Sequence, residues 1–223
     1  MKKMQPTADM INLNGLTPDT KSLLHDMAGF DFFNEFVFVG GSAISVYLQH
    51  RLSEDLDFFT PTATLPIEKI LGQIRQIFPD QFMIRYIDEG HLDLRIKTVN
   101  VTFSANRWKR FGETEPLSGY VRIAPIDVLT AMKINTLFLR AKFRDYYDVY
   151  ALNKNMYSLP RMFEIFKNYL PEMNKKLFQT ALIYTEDIQE DNIIHLKPIY
   201  PLGINSIRTH FEREIKQWIS SGE

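Results

Sequence analysis

Two aspartates separated by one residue, Asp55 and Asp57, have a spacing that could bind a metal ion. They lie in the segment SEDLDFFT, in which polar and apolar residues alternate before Pro61. This alternation predicts a β-strand with both carboxylates on one face, about 6.6 Å apart along the strand. Two carboxylates this close repel each other unless a cation lies between them. A divalent ion that prefers oxygen ligands, Mg²⁺ or Mn²⁺, would meet that requirement.

A glycine-rich turn, Gly40-Gly41-Ser42, precedes the two aspartates. The apolar run FVFV before the turn predicts a buried strand, and the segment AISVYLQH after it predicts a helix. Glycines let the backbone approach a ligand closely, and the first N–H groups of a helix favour an anion. Ser42 adds a hydroxyl at the same place. A phosphate-binding turn beside a carboxylate metal site is the combination that phosphoryl or nucleotidyl transfer requires.

Several other kinds of site are excluded or disfavoured. No Gly-Lys-Ser or Gly-Lys-Thr follows the turn, so it is not a P-loop, and the lack of G-x-G-x-x-G disfavours a dinucleotide-binding fold. The chain has no cysteine, which excludes disulfides and thiolate-ligated zinc, and its five histidines are scattered without zinc-ligand spacing. Taken alone, Asp-x-Asp is often an ordinary strand pair and Gly-Gly-Ser an ordinary turn. Their joint spacing, with strands on both sides, favours a functional site.

The elements that must position these residues fall into two regions of different character. The first region reads α-β-α-β-α-β-β-β, which predicts an α+β fold with a mixed sheet. Within it, NRWKRFGETEPLSG is predicted to be a loop and YVRIA one more short strand. From Pro125 onward, only amphipathic helical segments follow. We therefore expect an α+β domain over residues 1–122 and an all-helical domain over residues 123–223.

The segment from Val37 to Phe59 resembles the signature of the polymerase-β nucleotidyltransferase superfamily. That signature is a small apolar residue, Gly-Ser, about a dozen residues, and then Asp-x-Asp on a strand. The sequence G-G-S-A followed by H-R-x-S-x-D-L-D-F-F is similar to the corresponding motif in the AbiEii/AbiGii group of abortive-infection toxins. Members of that group carry a Lys on one later helix and an R-D-x-x-D-like segment on the next, matched here by Lys133 and by residues 144–148. The resemblance spans residues 36–152.

The resemblance implies a polymerase-β-type nucleotidyltransferase core in the first domain, with a nucleoside triphosphate as donor. Gly41 and Ser42 would hold the triphosphate, and Asp55 and Asp57 would ligate one or two metal ions. Lys133 would reach a phosphate or neutralise developing charge.

The remaining roles concern the R-D-x-x-D segment. Asp145 or Asp148 would position or deprotonate the acceptor hydroxyl, and they share a helix face because they are three residues apart. Arg144 would contact the nucleotide and pair with either acid. Two plainer alternatives remain open here: Lys133 could extend its ammonium group to the surface, and the R-D-x-x-D residues could form a surface salt-bridge cluster.

Two other segments have plainer alternatives. Arg51, just before the metal-binding strand, is predicted to tie the turn rather than to act in catalysis. Basic and aromatic residues interleave over residues 107–111, as on a nucleic-acid-binding loop, although a solvated loop is the simpler interpretation.

The superfamily often has a third carboxylate on a later strand, and here Thr102 occupies the expected position. Asp93 could substitute only under a different strand register. Two hypotheses follow. The protein is an enzyme that transfers a nucleoside monophosphate to the 3′ end of a tRNA, a protein side chain or a small molecule, as the toxin of a pair with an antitoxin partner. Alternatively, it is a catalytically weak or inactive protein with a nucleotidyltransferase fold that binds a nucleotide or a partner protein.

The composition of the chain limits which partners, core size and cellular location we expect for this protein. The formal net charge of −1 gives no global field towards nucleic acid or membrane, and the 45% hydrophobic content over 223 residues allows a sizeable core. The N-terminus lacks the apolar region of a signal peptide, and no run of about 18 apolar residues occurs. We expect a soluble cytoplasmic protein with no membrane partner.

Overall fold

The computed structural model describes residues 12–105 and 112–222, and the chain divides after Pro125 into two compact units. The basic and aromatic segment 107–111 lies outside the described residues, so the expectation for it stays a prediction. Across the described ranges, no helix is long and apolar enough to cross a membrane.

The first unit contains a seven-stranded mixed sheet in the order β3-β4-β5-β2-β1-β7-β6. The pairs β2–β5 and β1–β7 are parallel, and the other neighbours are antiparallel. The strands are β1 (Val37–Val39), β2 (Asp55–Thr60), β3 (Phe82–Ile87), β4 (His91–Ile96), β5 (Val99–Ala105), β6 (Glu115–Ser118) and β7 (Val121–Ile123). The α-helices in the described part of this unit are α1 (Pro18–Ala28), α2 (Gly40–Leu48) and α3 (Ile67–Ile77). The predicted α+β class with a mixed sheet is therefore confirmed.

One predicted loop is partly wrong, because its last residues form the edge strand β6. Leu117 is buried, and Arg122 on β7 donates from Nε to Thr114 Oγ1 at 2.6 Å, which holds the strand in place. The sequence signal was hidden by Pro116 and Gly119, which are typical of turns. A proline is tolerated here because the outer side of an edge strand has no neighbour that needs its N–H.

The core beneath the sheet fixes the register of β2. Leu56 and Phe58 are fully buried, and the ring of Phe58 contacts those of Phe33, Phe38 and Phe103 at centroid distances of 5.9, 5.7 and 5.5 Å. A shift by one residue would expose these rings and bury the aspartates. Aromatic packing on one face of β2 therefore keeps the carboxylates on the other.

Among its described residues, the second unit contains five α-helices: α4 (Ile126–Leu139), α5 (Phe143–Asn155), α6 (Leu159–Tyr169), α7 (Lys175–Ile183) and α8 (Ile204–Ser220). Their starts follow from local capping: Ser158 caps α6 and Asn174 caps α7 through side-chain hydrogen bonds to backbone N–H groups. Most of α5 is buried, so its polar residues must find partners inside the unit.

Candidate active site

The glycine-rich turn brings the start of α2 against the carboxylate of Asp57. Gly40 has a φ of +78°, a left-handed conformation that favours glycine, and a Cβ added to it would lie 2.1 Å from Asp57 Oδ2. Any side chain at this position would therefore clash with the carboxylate. No side chain caps the helix at Val39, and the first N–H groups of a helix lack intrahelical partners. The turn thus lies beside a candidate metal ligand, and its backbone N–H groups could donate hydrogen bonds to an anion there.

Ser42 ties the turn to the start of β2. Its side chain is buried, and its hydroxyl hydrogen-bonds to Ser53 Oγ at 2.8 Å and to the carbonyl oxygen of Asp55. Ser53 Oγ also accepts from Arg51 Nη1 at 3.3 Å, and the same guanidinium nitrogen donates to the carbonyl of Leu52 at 3.0 Å. Arg51 therefore ties the turn, as predicted. The role of Ser42 towards a triphosphate stays a prediction.

Asp55 and Asp57 lie on the same half-exposed face of β2, as the alternation predicted. Asn100 on β5 donates from Nδ2 to Asp55 Oδ1 at 2.9 Å, which orients that carboxylate. Within residues 12–105 and 112–222, no group of three or more His, Asp and Glu side chains is arranged to hold a metal ion. Two carboxylates fit Mg²⁺ or Mn²⁺ shared with substrate phosphates, because such ions are commonly bound through one or two carboxylates plus phosphate oxygens.

The position of the third carboxylate is occupied by a hydroxyl. Thr102 on β5 lies opposite Asp57, which is the predicted register, and Asp93 on β4 lies opposite Thr102. Thr102 Oγ1 donates to Asp93 Oδ1 at 2.9 Å. Asp93 is therefore separated from Asp57 by the whole of β5, and the alternative register that would have made it a third ligand is wrong.

In the second unit, Lys133 on α4 lies between two acids of α5. Its Nζ is 3.0 Å from Asp145 Oδ1 and 3.0 Å from Asp148 Oδ2, and the three side chains are only 8%, 4% and 0% exposed. The alternatives of an ammonium at the surface and of a surface salt-bridge cluster are therefore wrong. The helical spacing was informative, since residues three apart share a face.

The electrostatics of this cluster keep Asp145 ionised. Burial by itself would raise the pKa of Asp145, but the Lys133 ammonium and the backbone N–H of Lys142 stabilise the carboxylate. The pKa therefore lies below its ordinary value of 3.8. Arg140 Nε, 4.0 Å from Asp145 Oδ2, adds positive charge. Sequence reasoning missed both Arg140 and the Lys142 amide, because neither belongs to a recognisable motif.

Arg144 Nε lies 3.8 Å from Asp191 Oδ2, so these two partly exposed side chains form an ion pair. The pairing of Arg144 with Asp145 or Asp148 stays a prediction. The nucleotide-binding role of Arg144 stays a prediction.

The class of protein is indicated by the order of elements around the site: a strand, a Gly-Gly-Ser turn, a helix and an Asp-x-Asp strand, with both strands in one mixed sheet. This order is the one expected of a nucleotidyltransferase fold. The model of the AbiEii nucleotidyltransferase toxins of type IV toxin–antitoxin systems matches residues 22–116 and 113–218. The chain therefore belongs to the AbiEii nucleotidyltransferase toxin family.

Two solved structures and one sequence relative are similar to this chain over most of its length. The nucleotidyltransferase toxin MenT4 of Mycobacterium tuberculosis superimposes with a TM-score of 0.56 at 15% identity, over 94% of this chain and 88% of that one. JHP933 of Helicobacter pylori superimposes with a TM-score of 0.51 at 18% identity, over 93% and 100%. An uncharacterised protein of Aquifex aeolicus is 22% identical over 209 residues, covering 92% of this chain and 98% of its own. At these identities the two solved structures support the fold, which is the predicted polymerase-β type.

Proposed function

We propose that this protein is a metal-dependent nucleotidyltransferase, which moves a nucleoside monophosphate from a nucleoside triphosphate to an acceptor hydroxyl and releases pyrophosphate. The observation that carries the proposal is the close approach of Gly40 to the Asp57 carboxylate. A Cβ atom added to Gly40 would lie only 2.1 Å from Asp57 Oδ2. In support of the proposal, this contact brings the start of α2 close to Asp57, one of the two proposed metal ligands. Phosphate and metal would then bind side by side, as nucleotidyl transfer requires.

Each residue of the turn and of β2 has a proposed role in donor binding. Asp55 and Asp57 would hold Mg²⁺ or Mn²⁺, which when bound would neutralise charge on the triphosphate. The backbone of Gly41 would contact the phosphates with the other N–H groups at the start of α2. Ser42 would hold the turn against β2, and it would reach a phosphate only by exchanging its present hydrogen bonds.

The cluster of the second unit is proposed to serve the acceptor side. Lys133 would neutralise developing charge, and Asp145 or Asp148 would position or deprotonate the acceptor hydroxyl, with Arg144 contacting the nucleotide. Supporting this, the two carboxylates hold the Lys133 ammonium in one position at 3.0 Å each. An ammonium held in this way is pre-oriented.

Family membership supports a toxin whose partner is an antitoxin protein. We propose that the acceptor is the 3′ end of a tRNA, a protein side chain or a small molecule. The cytoplasmic location stays a prediction.

One observation favours the alternative, a nucleotide- or partner-binding module with weak or lost catalysis. Thr102, and not a carboxylate, lies opposite Asp57 on β5. A full two-metal clamp would need another acid. Metal-dependent binding of a nucleoside triphosphate without any turnover would support this alternative.

The donor site is tested by isothermal titration with ATP, GTP, CTP and UTP, with and without Mg²⁺. We expect Mg²⁺-dependent binding that the Asp55→Asn/Asp57→Asn variant loses. Asp80→Asn is the matched control, because it removes one exposed carboxylate from a turn of the same unit. The donor-site assignment would be overturned if the double variant still bound nucleotide, or if none of the four nucleoside triphosphates bound the wild type.

A further inference from the structure

The sheet face that carries the metal carboxylates continues across β5 and β4 with polar side chains. In one row Asp57 lies opposite Thr102, and in the next Phe59 lies opposite Ser104. Ser104 in turn lies opposite His91 on β4. Strands are about 4.8 Å apart and alternate residues about 6.7 Å, so the Cα atoms of Ser104 and Asp57 are about 8 Å apart. A hydroxyl on this face therefore lies near the place proposed for the donor phosphates.

Ser104, His91 and Asp93 form one array on that face, joined by a hydrogen bond and a close ion-pair contact. His91 Nδ1 is 2.9 Å from Ser104 Oγ, and His91 Nε2 is 2.9 Å from Asp93 Oδ1. The side chains of His91 and Asp93 are 38% and 37% exposed, and Ser104 is half-buried, so the array is open to a ligand.

Asp93 decides which ring nitrogen of His91 carries the proton. Its carboxylate accepts from Thr102 Oγ1 at 2.9 Å, and its Oδ1, 2.9 Å from His91 Nε2, is an acceptor that favours a proton on that nitrogen. We therefore assign the proton of a neutral His91 ring to Nε2, which leaves Nδ1 as an acceptor. The hydroxyl of Ser104 must then donate to Nδ1.

This is the arrangement of an activated nucleophile: a hydroxyl bonded to a base, and the base oriented by a third group. We propose that Ser104 is an acceptor of the nucleotidyl group, so that the protein modifies its own sheet face. The proposal rests on the proposed nucleotidyltransferase function, which supplies the donor.

The covalent step balances with the groups at hand. Ser104 Oγ forms a bond to the α-phosphorus of the nucleoside triphosphate, and the bond from that phosphorus to the bridging oxygen of the β-phosphate breaks. Pyrophosphate leaves with the electron pair, and the hydroxyl proton moves to His91 Nδ1 and later to solvent. Asp93 is a positioning residue, because it holds the ring and stabilises the imidazolium that forms.

The modification would limit the enzyme's own activity. A nucleoside monophosphate on Ser104 would occupy the sheet face about 8 Å from Asp57 and bring a negative charge there. Other acceptors would then be excluded from the face next to the donor.

The test is to incubate the full chain with Mg²⁺ and each α-labelled nucleoside triphosphate, and to map any adduct by intact-mass and peptide mass spectrometry. We expect one nucleoside monophosphate per chain, on Ser104. Ser104→Ala should remove it and Ser104→Thr should restore it on the new hydroxyl. Ser206→Ala, which changes an exposed serine of α8, should leave labelling unchanged.

The histidine and the aspartate are tested by labelling rate beside nucleotide binding. His91→Gln should lower the rate by about 10²- to 10⁴-fold, the usual contribution of a general base, and Asp93→Asn should lower it by less. Both should bind the triphosphate like the wild type, which excludes misfolding as the cause. Equal labelling of wild type and Ser104→Ala, or an unlabelled wild type that still binds Mg²⁺ and nucleotide, overturns the Ser104 proposal alone. A wild type that neither binds nor is labelled overturns the proposed function as well.

Discussion

The two units of this protein each contain a pair of aspartates on one face of one element, yet the pairs have opposite environments. Asp55 and Asp57 on β2 are half-exposed on an open polar sheet face. Asp145 and Asp148 on α5 are buried, and both are bound to one lysine. Exposed carboxylates with hydrogen-bonding neighbours can exchange water for a metal and a substrate. Buried carboxylates that are already ion-paired hold the charge of their partner in place. Mutation of an aspartate is therefore expected to have different consequences in the two units.

The sharpest way to test this contrast is Asp57→Asn. We expect it to lower nucleotidyl transfer by roughly 10³-fold or more, which equals about 4 kcal/mol of transition-state stabilisation. The free energy of unfolding should change little or rise, because one of two repelling carboxylates is removed. Initial rates and urea unfolding of the same samples measure the two effects. A variant that loses stability in proportion to activity would show that Asp57 has a structural role.

Lys133→Met should behave in the opposite way. Removing one partner of a buried ion pair leaves charge without compensation and typically costs about 3–5 kcal/mol of stability. Thermal and urea unfolding would measure this loss. The matched control is Lys154→Met, which removes an exposed lysine of α5 and should change stability by less than about 0.5 kcal/mol.

The result that contradicts the contrast is a folded Lys133→Met of wild-type stability with a large loss of activity. Lys133 would then serve the proposed acceptor side without stabilising the contact between α4 and α5. Neutralising both acids in the same background, as Lys133→Met/Asp145→Asn/Asp148→Asn, should recover most of the lost stability, because no buried charge remains.

Gly40→Ala probes the point where turn and carboxylate meet. A side chain must then adopt a φ of +78° and displace the Asp57 carboxylate, so we expect a loss of about 1–3 kcal/mol in stability together with weaker Mg²⁺-dependent nucleotide binding. Gly72→Ala in α3 is the control, since its Cβ would meet nothing within 4 Å. That change should stabilise the helix by about 1 kcal/mol. Unchanged nucleotide affinity in Gly40→Ala would separate the turn from the donor site.

Acid should weaken the buried pair in a defined direction. The pKa of Asp145 in the folded protein lies below 3.8, its value in the unfolded chain, because Lys133 and the Lys142 amide outweigh burial. Its contribution to stability is therefore present above pH 3.8 and is lost as the pH falls through the lower folded pKa. Urea unfolding between about pH 5 and about pH 2 measures the slope. Asp145→Asn should show a smaller slope than the wild type, and an equal slope would assign the effect to other acids.

Some of the candidate site could be predicted because its information is local. The alternation of DLDFF places both aspartates on one face whatever surrounds the strand, since the period of a strand is two. The spacing of Asp145 and Asp148 likewise places both on one helix face. The edge strand β6 could not be predicted, because its residues are typical of turns and only pairing with β7 makes them a strand.

Residue patterns in the sequence were sufficient to predict the mixed α+β class, the helical second half, the paired aspartates and the likeness of the chain to the AbiEii family. The folded structure was needed to show that Gly40 contacts Asp57, that Lys133 lies buried between two acids, and that Ser104, His91 and Asp93 form one array. These contacts depend on strand register and helix packing between separate elements of the chain. Their energies come from burial and cross-strand geometry, which no local pattern of residue types contains.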